Sequence, residues 1–277
     1  MKSFMERLGS WFSLDTRSLA LARMGFGVCV LLDMLIRLTN VEQHYTDIGL
    51  IPRSVFVSDF AFPWSFSLHL ANGTAAFAIF MLSLHAFFAL MLAVGLHTRF
   101  STAMVALLTT SLHNRNWFIE NGGDDILRAI MILMIFIPWG EVWSVDQWRK
   151  GDGAREARSL SNSWVWTVFL QVFCIYYLSY LTKTSPIWRS EFTALFYALH
   201  LDVFTTGFGH WVRQYDVLMT GATCFTIILE WMGPVALVLG WVLKRTWWKA
   251  FRLLIVLSFW GLHGGIIATM YIGLFPY

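Results

Sequence analysis

The sequence predicts an all-α fold, a polytopic transmembrane bundle of about seven to nine helices. Hydrophobic residues make up 57% of the 277 residues, and the mean hydropathy is +0.59. Charged residues make up only 13%, about half the share of roughly 25% that is usual in soluble domains. Several apolar runs reach or approach the roughly 20 residues that a helix needs to cross a bilayer. Almost nothing remains for a separate soluble domain, so we expect a single membrane domain over residues 1–277.

The predicted spans follow one another along the chain and are separated by polar or basic connections. They cover residues 18–38, 73–96, 100–112, 125–139, 164–181, 217–243 and 251–277. Gly261, Gly264 and Gly265 are expected to break the last stretch into two pieces. The run at residues 192–204 is too short to span, which favours an interfacial or re-entrant helix.

Basic residues cluster in three segments that fall on one side of a seven-span topology. The segments hold Lys2, Arg7 and Arg17; Arg149, Lys150, Arg155 and Arg158; and Lys244, Arg245, Lys249 and Arg252. The positive-inside rule places them, and therefore the N-terminus, in the cytoplasm. A net charge of +3 that is concentrated in loops does not indicate a nucleic-acid partner. The expected surroundings are a lipid bilayer.

A polar segment at residues 111–128 is the best functional clue in the chain. It reads SLHNRNW and then NGGDDILR, and it lies between two long apolar runs. Hydrocarbon cannot solvate such groups, so they must lie at the membrane face or in a protein cavity. We assign His113 as a base or proton shuttle, and Asn114 and Asn116 as side chains that orient a substrate.

Asp124 and Asp125 in this segment have two explanations of about equal weight. Carboxylates at a helix start cap free backbone N–H groups and suit the helix dipole. In the functional alternative, one of them holds His113 in place or binds a cation. No structural turn requires so many different polar side chains, so we favour function for His113 and Asn114.

Three ionisable residues lie in the first predicted span. Asp33 and Arg37 are four positions apart and can pair on one helix face. Snorkelling towards the interface is a sufficient explanation for Arg23. For Arg37, whose end of the span faces the polar segment, stabilisation of negative charge that develops on a substrate is an equally good explanation.

Other polar residues on the same predicted side are candidate substrate-binding residues, together with one inside the last span. They are His44, Tyr45, Asp47, His69, Asn121 and His263. Histidine and carboxylate side chains can perform acid–base chemistry or bind a metal. No His-Glu-x-x-His or Cys-x-x-Cys spacing is present, so no metal site is predicted. Neighbouring Trp and Tyr residues are more typical of an interfacial belt than of a binding site.

Isolated ionisable groups inside spans should be neutral, paired or beside a cavity. For His85 we favour a satisfied interhelical hydrogen bond. Glu230 and His263 are stronger functional candidates. Lys183, just after the fifth span, is interpreted as an interface anchor rather than a base.

Short motifs along almost the whole chain form a specific set. They lie at residues 23–27 with Asp33, 45–53, 64–69, 95–99, 111–116, 121–125, 143–146, His263 and 272–277. Together they resemble the HTTM domain, the horizontally transferred transmembrane domain shared with vitamin K-dependent gamma-carboxylase. That carboxylase oxidises vitamin K hydroquinone, which allows a proton to be removed from a glutamate side chain before CO2 adds.

The resemblance implies a carboxylase-like lyase or oxidoreductase in a bacterial inner membrane. Its substrate would be a quinone, a lipid or a peptide, and a quinone or hydroquinone is the candidate cofactor. The family's base is a lysine in the region that resembles residues 112–114, where this chain has none. The family's β-rich lumenal domain is also not expected here. The resemblance therefore extends to the placement of a cavity that opens away from the cytoplasm.

A non-catalytic membrane module that binds a lipid, a peptide or another membrane protein is the alternative. An enzyme predicts a deep pocket where His113, the two aspartates and Arg37 converge. A module predicts that these groups are held in caps and salt bridges, with no cavity behind them. A transporter is a weaker explanation because the sequence shows no inverted repeat. The oligomeric state stays open.

Overall fold

The computed structural model describes residues 13–151, 158–160, 163–243 and 246–273. Within these ranges the chain is mainly helical and folds into two compact units. The N-terminal unit is Ser13–Val165, and the C-terminal unit covers residues 166–273. The prediction of one membrane domain stays a prediction. Five residues of the predicted basic segments lie outside the described residues: Lys2, Arg7, Arg155, Lys244 and Arg245. The same holds for residues 274–277, the end of the last motif.

The N-terminal unit contains three long helices and several short elements. They are β1 (Leu14–Asp15), α1 (Thr16–Leu38), α2 (Val41–Tyr45), α3 (Arg53–Val55) with a π-helical turn (Phe56–Phe60), a 3-10 turn (Leu68–Leu70), α4 (Ala75–Val94), α5 (Thr98–His113), a 3-10 turn (Trp117–Ile119), α6 (Gly122–Met134), α7 (Val145–Trp148) and β2 (Ser159–Leu160). The two short strands pair antiparallel, Leu14 opposite Leu160. Helix α1 packs along α4, α4 along α5, and α5 along α6.

The C-terminal unit is also helical. Its elements are α8 (Ser163–Thr182), α9 (Pro186–Arg189), α10 (Ala194–Leu199), α11 (Gly207–Val212), α12 (Asp216–Leu243) and α13 (Thr246–Thr269). Leu229 on α12 packs with Ile255 and Phe259 on α13, and Tyr176 of α8 joins this cluster. Helix α13 runs unbroken through Gly261, Gly264 and Gly265, so the expected division into two pieces is wrong. Isolated glycines weaken a helix but do not remove its backbone hydrogen bonds.

Five helices in the described part of the chain are long and apolar enough to cross a membrane. They are Thr16–Leu38, Ala75–Val94, Trp164–Thr182, Asp216–Leu239 and Ala250–Thr269. Large apolar side chains on them are exposed, as expected for a lipid-facing surface: Ile36 is 65% and Trp260 71% exposed. The chain is therefore all-α and has the character of a multi-pass membrane protein.

The predicted count of seven to nine transmembrane helices is not confirmed. Helices α5 and α6 contain 16 and 13 residues, which at 1.5 Å per residue gives about 24 and 20 Å. Both are shorter than the roughly 30 Å hydrocarbon core. Helix α6 ends at Met134, short of the predicted end at residue 139, because Pro138 follows and cannot continue a helix.

Arg23 holds the first two long helices together on one side of the N-terminal unit. Its side chain is fully buried and donates hydrogen bonds to the carbonyl oxygens of Leu92 and Ala93 at 2.7 and 2.6 Å, and to that of Trp143 at 2.6 Å. The C-terminal carbonyls of α4 have no partner within the helix, so a guanidinium can satisfy them. The expectation that Arg23 snorkels to an interface is wrong. Gly95 ends α4 with φ +74°, and a Cβ there would lie 2.6 Å from Nη1 of Arg23.

Candidate functional site

Arg37 at the C-terminal end of α1 is the centre of a buried polar network. Its Nε donates to Oδ2 of Asp33 at 2.7 Å, Nη1 to the hydroxyl of Tyr45 at 2.8 Å, and Nη2 to Oδ1 of Asp124 at 3.0 Å. The side chain of Arg37 is 12% exposed and that of Asp124 is completely buried. One guanidinium thus joins α1, α2 and α6. A planar group with five donors suits several fixed acceptors at once.

Asp124 also closes the first turn of α6. Its Oδ2 accepts hydrogen bonds from the backbone N–H and the side-chain amide of Asn121, both at 2.9 Å. The carbonyl oxygen of the Asn121 side chain accepts from the N–H of Gly123 at 2.8 Å. This reciprocal arrangement is a capping box, and it satisfies backbone donors that a helix start leaves free. Asp124 therefore has the capping role and the charge-pairing role together.

His113, the last residue of α5, lies against Asp124. Its Nε2 is 3.6 Å from Oδ1 of Asp124, and its side chain is 1% exposed. The other ring nitrogen, Nδ1, is buried and has no hydrogen-bond partner. A base needs a free ring nitrogen within reach of its substrate. The Nδ1 atom of His113 is therefore the unpaired nitrogen of this ring, and it is enclosed by protein atoms.

The neighbouring polar side chains mainly bind backbone groups. Asn114 donates to the carbonyl oxygen of Phe66 at 2.9 Å, and Asn116 to that of His44 at 3.0 Å. The side-chain oxygen of Asn116 and Nδ1 of His44 are buried without partners. These contacts fix the loop after α5 against the connection between α1 and α4.

His69 lies under this loop and bonds to Ser111, with its Nδ1 2.7 Å from the serine Oγ. Burial lowers the pKa of His69 to about 4, and the positive charge of Arg115 contributes to this lowering. His69 is therefore a neutral ring at physiological pH. Its Nε2 is also buried without a partner, so it adds a fourth unpaired polar atom to those of His113, Asn116 and His44.

Asp47 forms an ion pair near the surface that closes the loop after α2. Its carboxylate accepts from Nη2 of Arg53 at 2.7 Å, Nε of Arg53 at 2.9 Å, and the backbone N–H of Arg53 at 3.0 Å. The Arg53 hydrogen bonds lower the pKa of Asp47 to about 2. Arg53 also donates to the carbonyl oxygen of Leu70. This pair ties one loop to the next.

An open cleft of about 540 Å³ lies beside the buried network, within the N-terminal unit. Aromatic side chains and polar side chains both line it. The lining residues are Phe56, Phe60, Ala61, Phe62, Ser65, Thr110, Asn114, Trp117, Glu120, Asn121, Gly122, Asp125 and Arg128. Of the predicted site residues, Asn114, Asn121 and Asp125 border the cleft. Arg37, His113 and Asp124 lie behind this surface and do not line it.

Glu120 is a cleft residue that sequence reasoning missed. Its Oε1 is buried and has no hydrogen-bond partner. Burial raises the pKa of Glu120 to about 7, against the opposing effect of Arg128. Carboxylates with a pKa near neutrality suit acid–base work or pH-dependent binding. A single glutamate after Trp117-Phe118-Ile119 carried no sequence signal, because only the turn around it provides the burial.

The remaining cleft charges are already paired with each other. Asp125 accepts a hydrogen bond from Arg128, one turn further along α6, at 2.5 Å. The Asp125 side chain is 62% exposed, so this pair is solvated. Such pairs contribute only about 0–1 kcal/mol to stability. Asp125 therefore differs from its neighbour Asp124, which is buried and holds the network.

The C-terminal unit contains its own polar contacts. Lys183 donates to both carboxylate oxygens of Glu230 at 2.7 and 2.6 Å, and to Oγ of Ser179 at 2.5 Å. The hydroxyl of Tyr176 lies 2.9 Å from Nε2 of His263. Lys183 is thus an ion-pair partner as well as a residue near the end of α8. Among the described residues, no group of three or more His, Cys, Asp or Glu side chains could hold a metal ion.

The structure brings Arg37, Tyr45, His113, Asn121 and Asp124 into direct contact in one network. The predicted Asn114 and Asn116 lie on the loop after α5, and Asn116 binds the backbone of His44 in α2. His69 binds Ser111 of α5, and Asp47 forms a separate ion pair. His263 belongs to the C-terminal unit. No family model, curated protein or solved structure matches this chain.

We predict that Asp124→Asn destabilises the protein, whereas Asp125→Asn leaves its stability nearly unchanged. Loss of the buried charge leaves Nη2 of Arg37 without its anionic partner and weakens the α6 cap, so the free energy of unfolding should fall by at least about 2 kcal/mol. Thermal unfolding of the two variants in the same detergent measures this difference. Equal unfolding midpoints for both variants would contradict the role assigned to Asp124.

Proposed function

We propose that this chain is a multi-pass membrane protein of the HTTM type that binds an amphipathic ligand in the cleft of its N-terminal unit. The cleft itself carries this proposal. The aromatic rings among its lining residues suit a flat or apolar body, and the charged groups of Glu120, Asp125 and Arg128 suit a polar end. A quinone, a lipid and a peptide side chain all have this character.

Several of the HTTM-like motifs are joined by contacts in the N-terminal unit, which is compatible with the family proposal. Asp47 and Arg53 of one motif bind each other, and Asp146 of another accepts hydrogen bonds from the backbone N–H groups of His97 and Thr98 in a third, at 2.7 Å each. Motifs that are distant in sequence therefore meet in space. The contacts of Asp146 lie at the start of α5, at the opposite end of this helix from the cleft.

Filling the cleft tests the proposed binding function. Ala61 lines the cleft, and Ala61→Trp should occupy part of its volume and lower the affinity for every ligand of this site. Ala71→Trp is the matched control, because Ala71 is exposed and does not line the cleft. Binding of a water-soluble quinone, a short-chain lipid and an amphipathic peptide is measured by calorimetry in maltoside micelles. No binding to wild-type protein, or equal binding to both variants, would refute the proposal.

Catalysis on the bound ligand is the second candidate function, and His113 is the observation that favours it. Its Nδ1 is unpaired, and its Nε2 lies beside the carboxylate of Asp124. A carboxylate that orients a histidine is a common arrangement for a general base. The engagement of Arg37 and Asp124 with partners inside the protein favours a binding module instead. Binding needs only the surface of the cleft, whereas catalysis by His113 also requires the ligand to reach a ring that is 1% exposed and lies behind the cleft lining.

Turnover with a reduced quinone and oxygen separates these two candidates. An enzyme in which His113 is the base should oxidise the quinol, and His113→Ala should lower the rate by about 10²–10⁴-fold, the usual contribution of a general base. His85→Ala is a control in a buried histidine that is bonded to Thr109. Unchanged turnover in His113→Ala would remove its assigned role, and no turnover in wild-type protein would favour the module.

We also propose a bacterial inner membrane as the location, with the N-terminus in the cytoplasm. The basic segments support this orientation. In a variant whose cysteines are replaced by serine, Ile48→Cys should react with an impermeant thiol reagent added to whole spheroplasts, and Lys150→Cys should not. Ile48 is 82% exposed and lies beyond the C-terminal end of α1, whereas exposed Lys150 lies after α7. The opposite labelling would reverse the orientation.

A further inference from the structure

The cleft has an uncompensated negative charge. Of the charged side chains that line it, Asp125 and Arg128 neutralise each other. Oε1 of Glu120 is buried without a hydrogen-bond partner, and Glu120 forms no ion pair within the described part of the chain. An ionised Glu120 therefore leaves the lining with a net negative charge. A partly buried unpaired carboxylate is costly unless a ligand supplies the missing partner.

Aromatic rings stand around the same cleft and keep accessible surface. Phe60, Phe62 and Trp117 are 39%, 57% and 44% exposed, and all three line the cleft. The ring centroids of Phe62 and Trp117 are 6.3 Å apart. The faces of aromatic rings attract cations through their quadrupole, and Trp does so most strongly. Rings and a carboxylate together form the chemical pattern that recognises alkylated ammonium groups.

The hydrogen-bonding groups nearby are largely engaged. Ser65 donates to the carbonyl oxygen of Phe62, and Thr110 to that of Ala106. The side chain of Asn121 bonds to Asp124 and to the N–H of Gly123. A ligand that required many directed hydrogen bonds would find few free partners. A quaternary ammonium requires none, because charge and ring faces hold it.

We propose that the cleft recognises an organic ammonium group, with Glu120 as its counter-charge and Trp117 as its main aromatic contact. This inference rests on the proposed binding function and narrows its ligand class. An ammonium headgroup on a lipid and a free small amine share this chemistry. If the ammonium group belongs to a lipid, its apolar part would also contact Phe60 and Phe62.

Binding should then depend on pH. Burial raises the pKa of Glu120 to about 7, and the charged groups that face it are Asp124, Asp125 and Arg128 on α6 and Arg37 on α1. A cation prefers the ionised carboxylate, so the affinity should rise as Glu120 loses its proton. Between about pH 6 and about pH 8 the ionised fraction changes by about tenfold for a group with this pKa. The affinity should follow that change.

The experiment compares choline with its neutral carbon isostere, in which a tert-butyl group replaces the trimethylammonium. Both are titrated into the full-length protein in maltoside micelles, with binding measured by calorimetry. Choline should bind at least about tenfold more tightly than the isostere, because only the cation gains from the carboxylate and the ring faces. Glu120→Gln should remove this preference and its pH dependence. Trp117→Leu should weaken choline binding more than binding of the isostere.

Glu42→Gln is the matched control for the loss of one carboxylate. Glu42 is an exposed residue of α2 that does not line the cleft, so this variant should behave like wild type. Equal affinity for choline and the isostere, or unchanged choline affinity in Glu120→Gln, would overturn the ammonium inference. That result leaves the cleft as a binding site for neutral ligands. If neither these compounds nor the quinone or peptide bind, the proposed function itself fails.

Short-chain phosphatidylcholine and phosphatidylglycerol distinguish the sources of the ligand. Tighter binding of the phosphatidylcholine than of both free choline and the phosphatidylglycerol would indicate a lipid headgroup. Tighter binding of free choline would indicate a small amine. Either result supports recognition of the ammonium group, whereas a preference for the phosphatidylglycerol over both choline compounds would contradict it.

Discussion

The buried guanidinium of Arg37 is the interaction on which the polar end of the N-terminal unit depends. Water cannot solvate a charge at that depth, so its donors must meet fixed acceptors within the protein. Asp33, Tyr45 and Asp124 supply them and thereby fix the end of α1 against α2 and the start of α6. Because the cleft is bordered by the first turns of α6, its shape follows from this one cation. The cavity is thus a consequence of charge satisfaction inside a largely apolar chain.

A second buried guanidinium, nearer the start of α1, also needs acceptors within the protein but finds them on the backbone. Arg23 is buried and binds backbone carbonyls at the end of α4 instead of a carboxylate. The close approach of Arg23 to these carbonyls requires glycine at position 95, since a Cβ there would collide with the guanidinium. Asp146 accepts hydrogen bonds from the backbone N–H groups at the start of α5. Two arginines of α1 therefore organise the helix contacts, whereas Glu120 and the aromatic rings that border the cleft are not needed for either.

Binding and catalysis require different groups from this arrangement. Arg37 and Asp124 are engaged by partners, which suits a scaffold. Glu120 and the Nδ1 atom of His113 are among the groups left unsatisfied, and an unsatisfied buried polar atom indicates a ligand, a water molecule or a reaction. The aromatic rings that line the same cleft as Glu120 add an apolar surface to this polar group. The cleft is consequently suited to a molecule that combines a polar or charged group with apolar surface.

Hydropathy and charge placement in the sequence determined the all-α membrane class and the polar segment that forms the site, because a bilayer imposes length and polarity locally on each span. They also grouped Arg37 and His113 with the pair Asp124 and Asp125, since residue type is visible in the chain, but they did not separate the two aspartates. The structure alone decided which of them are buried and which border the cleft. Glu120 acquired its character, and Arg23 its carbonyl partners, only through folding, because burial and the direction of a side chain depend on elements far away in sequence. The number of spanning helices was likewise not determined by apolar runs, since turns and capping residues shortened α5 and α6.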